Sequence, residues 1–357
     1  MKIYAFHLLN DFSGSPKVLK QLATGWVAKG FDVNIVTSKG KDGFLSEIDG
    51  VTYHQFWYSW APNPFLRLLN LIISQLSLIG LMLFKLKRKD IVYVNTVLPF
   101  GAAIVGKIIG CRIIYHMHET SMKPVILKKV LFGIANWAAS DAVYVSNYLL
   151  HQENLGNVKK HLLYNAIEND FLETALRTRK TNENSKNVLL VCSLKEYKGV
   201  VEYVNLARDN SEYSFRMILN STDEDISRFF MHSIIPDNLE ILSTKKNLHP
   251  YYNWADVIVN LSRPDGWIET FGLTVIEGMA YGLPAIVPPV GGITELVEDG
   301  ENGYKVDCRD SALLNNKLKQ ILDYPATYRS MVDEAKKKIS DFKENVFIEK
   351  SVRIITG

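Results

Sequence analysis

The chain has 357 residues, of which 47% are hydrophobic and 22% are charged. This composition is that of an ordinary globular protein and excludes a disordered, collagen-like or disulfide-stapled chain. At roughly 150 residues per domain, the length predicts about two domains. The net charge of +3 is too small to indicate a nucleic-acid partner. Three widely spaced cysteines, and an N-terminus without the long apolar core of a signal peptide, lead us to expect a cytoplasmic protein.

The first half of the sequence alternates short apolar runs with helical patterns. Residues 2–9 and 31–38 are predicted as strands, and a helix that Ser15 caps and Pro16 begins is predicted between them. Apolar residues at helical spacing give that helix one buried stripe: Val18, Leu22 and Trp26. Further strands are predicted over 91–95, 112–116 and 142–146. Near-continuous apolar strands that alternate with helices predict a parallel sheet covered on both faces.

The alternation stops over about 170–187, a polar stretch that we interpret as an interdomain linker, and then restarts. The later strands are predicted over 188–192, 214–219, 238–242, 257–261 and 284–288. The fold class is therefore α/β, with two tandem Rossmann-like doubly wound domains over 1–170 and 186–340. Ligands of such sheets bind outside the carboxyl ends of the strands. We expect the site in a central cleft that the two domains face.

One apolar segment, from Leu68 to Phe84, contains 17 residues without a charge. Four basic residues follow it: Lys85, Lys87, Arg88 and Lys89. Three interpretations stay open. The segment is a buried helix of the first domain, or a membrane span, which needs about 20 apolar residues, or an interfacial helix. In the last case residues 65–89 would make a peripheral membrane contact, since the basic cluster attracts anionic lipid.

The residues with the clearest chemistry lie between 266 and 292. Glu269 is predicted in a loop before a helix that starts near Leu273, and Glu277 lies about one turn inside that helix. The turn between the two carboxylates exposes N–H groups at a helix N-terminus, which suits a diphosphate. Carboxylates on both sides suit hydroxyl groups, as in a nucleotide sugar. A weaker anion site is predicted at Gly14, in the turn after the first strand.

The sequence ETFGLTVIE, followed by GMAYGLPAIVPPVGGITELV and NGYKV, resembles the retaining glycosyltransferases of family 4, which have the GT-B fold. The resemblance extends over nearly the whole chain and includes YHMHET, YVSNYL, YNAIEND and SLKEYKG. It implies transfer of a glycosyl group, of the hexosyl type, from a nucleoside-diphosphate sugar to an acceptor hydroxyl with retention of configuration. No metal and no other cofactor is implied. A C-terminal helix over about 341–357 would return to the first domain.

The resemblance also implies which residues bind the donor. Glu269 would contact the hydroxyls of the donor sugar, and Glu277 would contact those of the ribose. Backbone N–H groups would hold the diphosphate and the sugar at four consecutive residues: Phe271, Gly272, Leu273 and Thr274. Gly14, in the N-terminal loop, would close over the diphosphate and over the acceptor side.

Three residues would be catalytic under the same resemblance, namely Glu269, Lys198 and His118. Lys198 would neutralise the departing diphosphate, and His118 would lie near the transferred sugar, with Glu119 where the family often has an acid. The chain departs from the family at Ser193, where an arginine is usual, and Lys195 is a candidate substitute.

We expect a saccharide or a lipid-linked saccharide as the acceptor, in surface-polysaccharide biosynthesis at the inner face of the cell membrane. Two alternatives stay open. A nucleotide-sugar epimerase with the GT-B fold would use the same donor and no acceptor, and a non-catalytic module would only bind the nucleotide sugar.

Overall fold

The computed structural model describes four stretches of the chain: 1–40, 42–156, 158–178 and 185–357. They form two compact units. The first consists of Met1–Asn165 together with Asn345–Gly357, and the second consists of Ala166–Glu344. The first unit thus ends at Asn165 rather than at the expected residue 170.

The first unit is built on one parallel sheet. Its strands are β1 (Lys2–Phe6), β2 (Asp32–Ser38), β3 (Thr52–Phe56), β4 (Ile91–Asn95), β5 (Arg112–Met117), β6 (Asp141–Tyr144) and β7 (Lys159–Leu162). They lie in the order β3-β2-β1-β4-β5-β6-β7. The helices between them are α1 (Gly14–Ala28), α2 (Pro64–Leu83), α3 (Phe100–Ile109), α4 (Val125–Ala138) and α5 (Asn147–Gln152).

The second unit repeats this arrangement. Its strands are β8 (Asn187–Ser193), β9 (Ser214–Asn220), β10 (Leu239–Leu242), β11 (Val257–Val259), β12 (Ala285–Val287) and β13 (Gly303–Lys305). They are parallel and lie in the order β10-β9-β8-β11-β12-β13. The helices are α6 (Asn169–Arg177), α7 (Val200–Asp209), α8 (Asp223–Phe230), α9 (His249–Trp254), α10 (Leu273–Ala280), α11 (Ser311–Leu322) and α12 (Pro325–Lys338), with 3-10 turns at Glu196–Lys198, Gly292–Glu295 and Ile339–Phe342.

The last helix, α13 (Glu344–Thr356), packs within the first unit. Trp26, which is fully buried, donates from Nε1 to Ser351 Oγ at 3.0 Å. The guanidinium of Arg112, at the start of β5, donates to the carbonyl of Ile354 at 2.7 Å. The first unit is therefore assembled from both ends of the chain.

All ten predicted strands are present, and three further strands were not predicted: β3, β7 and β13. Each of the three lies at an edge of its sheet. Their sequences, TYHQF, KKHL and GYK, lack a continuous apolar run. An edge strand is less fully covered than a central strand of a parallel sheet, so the apolar signal is weaker there.

The predicted linker over about 170–187 is wrong in its first part. Helix α6 occupies it and belongs to the second unit. Ala175 is buried, and the ring of Phe171, one turn earlier, stacks on His249 with the ring centroids 4.3 Å apart. Two apolar residues one turn apart are enough to attach this polar helix. Residues 179–184 of the predicted linker lie outside the described residues.

The first helix begins earlier than predicted. Helix α1 starts at Gly14 with Ser13 as its N-cap residue, rather than with a cap at Ser15. The Ser13 N–H and hydroxyl both donate to Asp11 Oδ1, at 3.0 and 2.5 Å, which fixes the chain before the helix. Pro16 then lies in the first turn, where its missing N–H costs no intrahelical bond.

The interpretation of α2 as a buried core helix is wrong. Its buried residues form a single stripe: Leu71, Ser74, Gln75, Leu78 and Met82. Large apolar side chains are exposed around the rest of it, among them Phe65, Leu66, Leu69, Ile72, Ile73 and Leu76. Among the described residues α2 is the one helix long and apolar enough to cross a membrane. It nevertheless connects two strands of the same parallel sheet, β3 and β4.

Candidate functional site

Two segments that are distant in sequence meet at the carboxyl end of the second sheet. Lys198 ends the 3-10 turn after β8, and Glu269 lies in the loop before α10. Lys198 Nζ donates to Glu269 Oε1 at 2.5 Å, and each side chain is 14% exposed. The structure therefore brings together two of the predicted site residues as a largely buried ion pair.

Two polar neighbours fix the Glu269 carboxylate. Ser262 Oγ donates to Oε1 at 2.5 Å and Asn260 Nδ2 donates to the same oxygen at 3.4 Å. Burial alone would raise the pKa of Glu269, but the charge of Lys198 and these hydrogen bonds hold it below its usual value. The carboxylate is thus ionised. Among the described residues its hydrogen bonds end on Oε1, which leaves Oε2 available to a ligand hydroxyl.

The position of Lys198 depends on close packing around its turn. Its Nζ lies 5.0 Å from the centroid of the Trp267 ring, which stacks on Tyr197 at 5.6 Å. Gly199, which follows Lys198, has a φ of +76°, and a Cβ there would lie 2.2 Å from the carbonyl oxygen of Leu261. Only glycine allows the turn to approach the strand this closely.

The N-terminus of α10 lies next to Glu269 in the chain. Gly272 is the N-cap residue with a φ of +132°, and a Cβ there would lie 2.8 Å from the side chain of Ile293. Leu273 and Thr274 begin the helix, so their N–H groups lack an intrahelical acceptor and carry the positive end of its dipole. The Phe271 side chain is buried against Phe342. It can therefore offer a ligand only its backbone.

Glu277 lies one turn inside α10 and is buried. Tyr252, on α9, donates its hydroxyl to Glu277 Oε2 at 2.6 Å and stacks on Tyr281 with the ring centroids 5.8 Å apart. Tyr252 is fully buried, so its ring packs inside the second unit. Its bond to Glu277 was not predicted, since nothing in the sequence marks this tyrosine apart from its neighbour Tyr251.

In the first unit, His118 follows β5 and is held by a buried amide. Its Nε2 donates to Asn95 Oδ1 at 2.9 Å, and Asn95 Nδ2 lies 3.1 Å from His7 Nδ1. Asn95 Nδ2 also donates to the carbonyl of Ser15, at 3.1 Å, which ties His118 to the turn that carries the exposed Gly14. Burial, together with His116 and His7, lowers the pKa of His118 well below its usual value. His118 is therefore neutral at pH 7.

Glu119, beside His118, also lies in an environment that disfavours charge. Burial raises its pKa to about 7, although hydrogen bonds from the backbone of His118 and from the Thr96 side chain act in the opposite direction. Within the described residues Glu119 Oε2 is buried without a hydrogen-bond partner. Thr96 has a φ of +71°, a conformation that strains a β-branched residue and is typical of functional sites.

Ser193 occupies the position where the family usually has an arginine, and Lys195 is the candidate substitute for that charge. Lys195 is exposed and precedes the 3-10 turn. A different basic residue, Arg263, contacts this turn: its backbone N–H donates to the carbonyl of Tyr197, and its side chain pairs with Glu202 and Glu196 at 2.6 and 3.0 Å. Within the described stretches, no group of three or more His, Cys, Asp or Glu side chains could hold a metal ion.

Two family models match almost the whole chain. Residues 12–168 match the model described as Glycosyltransferase Family 4, and residues 173–338 match the model described as Glycosyl transferases group 1. The chain is a GT-B glycosyltransferase of the family 4 type. Both of its sheets thus belong to a recognised glycosyltransferase architecture.

Relatives of this glycosyltransferase are distant. A Bacillus anthracis N-acetyl-alpha-D-glucosaminyl L-malate synthase is 25% identical over 70% of this chain and 70% of its own length. An uncharacterised 41.2 kDa protein in the cps region of Klebsiella pneumoniae is 23% identical over 77% of this chain and 79% of its own length. A crystal structure of Anabaena HepE in complex with UDP-glucose has a TM-score of 0.80 at 17% identity and covers 100% of this chain and 99% of its own. That likeness concerns the fold.

Proposed function

We propose that this glycosyltransferase moves a sugar from a nucleoside-diphosphate sugar to an acceptor hydroxyl and retains the anomeric configuration. The observation that carries the proposal is the Lys198–Glu269 pair at 2.5 Å, next to the N-terminus of α10. A cation, helix-terminal N–H groups and an oriented carboxylate together suit a diphosphate attached to a sugar. HepE, the structural neighbour solved with UDP-glucose, supports this class of donor.

The roles within the donor site follow from the surroundings of each residue. Glu277, oriented by Tyr252, accepts hydrogen bonds from the ribose hydroxyls. The N–H groups of residues 271–274 bind the diphosphate, and Glu269 accepts from hydroxyls of the sugar through Oε2.

The reaction breaks the bond between the anomeric carbon and the diphosphate oxygen, and the acceptor oxygen forms the new bond. Negative charge develops on the departing diphosphate, where Lys198 and the helix N-terminus stabilise it. We propose that no metal ion takes part, because these groups supply positive charge where it is needed. Retention of configuration is an inference from the family resemblance.

The residues of the first unit are proposed to serve the transferred sugar and the acceptor. His118 is neutral and carries its proton on Nε2, because the Asn95 oxygen that it faces can only accept. A neutral imidazole can hydrogen-bond to sugar hydroxyls, and it carries no positive charge that would attract the diphosphate away from Lys198. Gly14 allows the first turn to approach the donor.

We propose a lipid-linked saccharide as the acceptor. A cavity of about 370 Å³ in the first unit is lined by Lys39, Tyr58 and Trp60, among others. Aromatic rings beside a basic side chain suit a sugar, and Trp60 lies in the loop that leads into the exposed apolar helix α2. The relative in the Klebsiella cps region supports a role in polysaccharide biosynthesis. The enzyme would then work in the cytoplasm, at the inner face of the membrane.

A donor screen followed by product analysis tests the proposal. The matching nucleotide sugar should raise the unfolding temperature, since ligand binding stabilises the folded state by RT ln(1 + [L]/Kd). With that donor and a lipid-linked saccharide, the product should keep the anomeric configuration of the donor by NMR. Interconversion of the donor without acceptor would identify an epimerase. Stabilisation without turnover for any acceptor would identify a binding module.

A further inference from the structure

The first unit carries a layer of three helices whose outer side does not contribute to the donor site. Helix α2 contacts α3, and α3 contacts α4. Helices α2, α3 and α4 follow β3, β4 and β5, and each connects its strand to a strand nearer the β7 edge of the sheet. Because such connections are right-handed, all three helices lie on the same face of the sheet. Their outward sides therefore point the same way, away from the sheet.

Helix α2 lacks the polar outer side that a helix at a water surface has. Its buried stripe combines Leu71, Leu78 and Met82 with Ser74 and Gln75, and Gln75 Oε1 accepts from the backbone N–H of Gly101 on α3 at 2.9 Å. Its outward side is nevertheless also apolar, with Phe65 84% and Leu76 64% exposed. A helix that packs against a soluble core normally turns charged and polar residues outward. This arrangement is the one expected where an apolar phase covers the outer side.

Helix α4 continues the same surface. Ile126, Val130 and Trp137 lie on one side of it at spacings of four and seven residues, and all three are more than half exposed. Between the two helices, α3 contributes Lys107, whose Nζ lies 5.9 Å from the centroid of the Trp137 ring. The apolar surface is therefore not confined to α2.

Tryptophan and arginine border the surface at the other end. Trp57 and Trp60 lie in the loop before α2 and are about half exposed. The guanidinium of Arg67 lies 5.8 Å from the Trp60 ring, and Asn70 donates to the carbonyl of Ser59 at 2.8 Å, which attaches the loop to α2. Tryptophan rings are typical of the boundary between lipid and water.

The charge of this region indicates what covers it. Residues 57–89 contain five basic side chains and no acidic one. Residues 97–140 contain five basic side chains and Glu119, and two of these five, Arg112 and Lys128, pair with Asp141 and Glu153 outside the range. The whole chain, in contrast, has 41 basic and 38 acidic residues. A second copy of this surface would meet it with the same sign of charge, whereas anionic lipid headgroups complement it.

We infer that the outer sides of α2, α3 and α4, with Trp57 and Trp60, form one docking surface for a bilayer that contains anionic phospholipid. The surface extends the proposed contact of residues 65–89 to α4, whose first residue lies only seven positions after His118. The inference rests on the proposed function in one respect: the purpose of the docking surface would be to bring the enzyme to a lipid-linked acceptor. Binding to lipid does not depend on glycosyl transfer.

Sedimentation with vesicles tests the inference. The protein should bind phosphatidylcholine vesicles that contain phosphatidylglycerol, bind pure phosphatidylcholine weakly, and dissociate as salt rises from about 0.1 M to about 1 M. Two variants divide the surface: the α4 variant Ile126→Gln/Val130→Gln/Trp137→Gln, and a basic variant with glutamine at 85, 87, 88 and 89. Each should weaken binding by about tenfold or more.

A matched control changes exposed residues of the second unit, as Lys336→Gln/Lys337→Gln/Ile234→Gln, and should bind vesicles like the parent. An unfolding temperature and a circular dichroism spectrum like those of the parent would show that each variant is folded. Equal binding to neutral and anionic vesicles, or none to either, would overturn the inference. So would an α4 variant that binds like the parent, or a parent dimer that the α4 variant converts to monomer. Failure of every nucleotide sugar to bind would contradict only the proposed function.

Discussion

The two units share a strand order and differ in the electrostatics of their candidate site residues. At the carboxyl end of the second sheet, Lys198 and Glu269 form an ion pair in which the pKa of the carboxyl is lowered. At the same end of the first sheet burial disfavours charge: it lowers the pKa of His118 well below its usual value, lowers that of the neighbouring His7 to about 4, and raises that of Glu119 to about 7.

This difference shows that a parallel sheet fixes where functional groups lie and not which charge they carry. In the second unit, the charge of Lys198, together with hydrogen bonds from Lys198, Ser262 and Asn260, keeps a buried carboxylate ionised. In the first unit, the histidines and Glu119 lack a counter-charge of this strength, and burial dominates. The charged site suits the diphosphate, and the neutral one suits hydroxyl groups.

The largest expected effect concerns the charged site. Lys198→Ala should lower kcat by about 10²–10³-fold, because it removes a preorganised charge from the departing diphosphate. Circular dichroism and the unfolding temperature should show that the variant is folded. Lys319→Ala, which removes an exposed lysine of α11, is the matched control and should leave kcat unchanged. Parental turnover in Lys198→Ala would contradict the assigned role.

The neutral site should respond to pH. The pKa of Glu119 is about 7 in the folded protein, against 4.5 for an ordinary glutamate. The folded state therefore binds more protons, and stability falls as pH rises from 4.5 through 7. Glu119→Gln should raise the free energy of unfolding by roughly 3 kcal/mol at about pH 9 and by little at about pH 4. Urea titrations measure the free energy of unfolding at the two pH values. The matched control is Glu298→Gln, which changes an exposed glutamate. Equal effects of Glu119→Gln at both pH values would show that the pKa of Glu119 is not raised.

The two glutamates of the donor site should differ in their effect on binding of the free nucleoside diphosphate. Glu277→Ala should weaken binding of the free nucleoside diphosphate by about 1–3 kcal/mol, because the ribose hydroxyls lose a buried partner. Glu269→Ala should leave that binding intact and reduce transfer. Calorimetric titration with the diphosphate distinguishes them. Parental affinity in both variants would show that Glu277 does not contact the ribose.

The smallest expected effect is that of a chelator. EDTA should leave transfer unchanged, since Lys198 and the N-terminus of α10 supply the positive charge. A loss of activity that magnesium or manganese restores would show that the charged site of the second unit is incomplete without a metal.

The sequence was sufficient for the parts of the molecule that repeat one physical pattern. Central strands of a parallel sheet are apolar throughout, and the helix that begins at Leu273 follows a glycine and a short polar loop, so both were predicted. Three of the four edge strands, β3, β7 and β13, and helix α6 were missed because few of their side chains are buried, whereas the edge strand β10 was predicted from its apolar residues.

Contacts between side chains from different strands could not be predicted. Asn95 reaches both His7 and His118 because β1, β4 and β5 are adjacent in the sheet, although 88 and 23 residues separate the partners in the chain. The bond from Tyr252 to Glu277 likewise depends on how α9 packs on α10. Sequence spacing contains no signal for either. For the same reason the sequence left three interpretations of α2 open. Whether a side chain is buried depends on which other elements pack against it, and the sequence of the helix does not contain that information.

The return of α13 to the first unit has a consequence for synthesis on the ribosome. The bonds from Trp26 to Ser351 and from Arg112 to Ile354 join residues that are 325 and 242 positions apart and are therefore made far apart in time. The first unit therefore cannot complete its packing until residues 345–357 have been made, whereas the second unit, a continuous segment, can fold before them. During this delay Trp26 of α1 lacks its partner Ser351, so the part of the first unit that α13 covers stays open to contact with a chaperone.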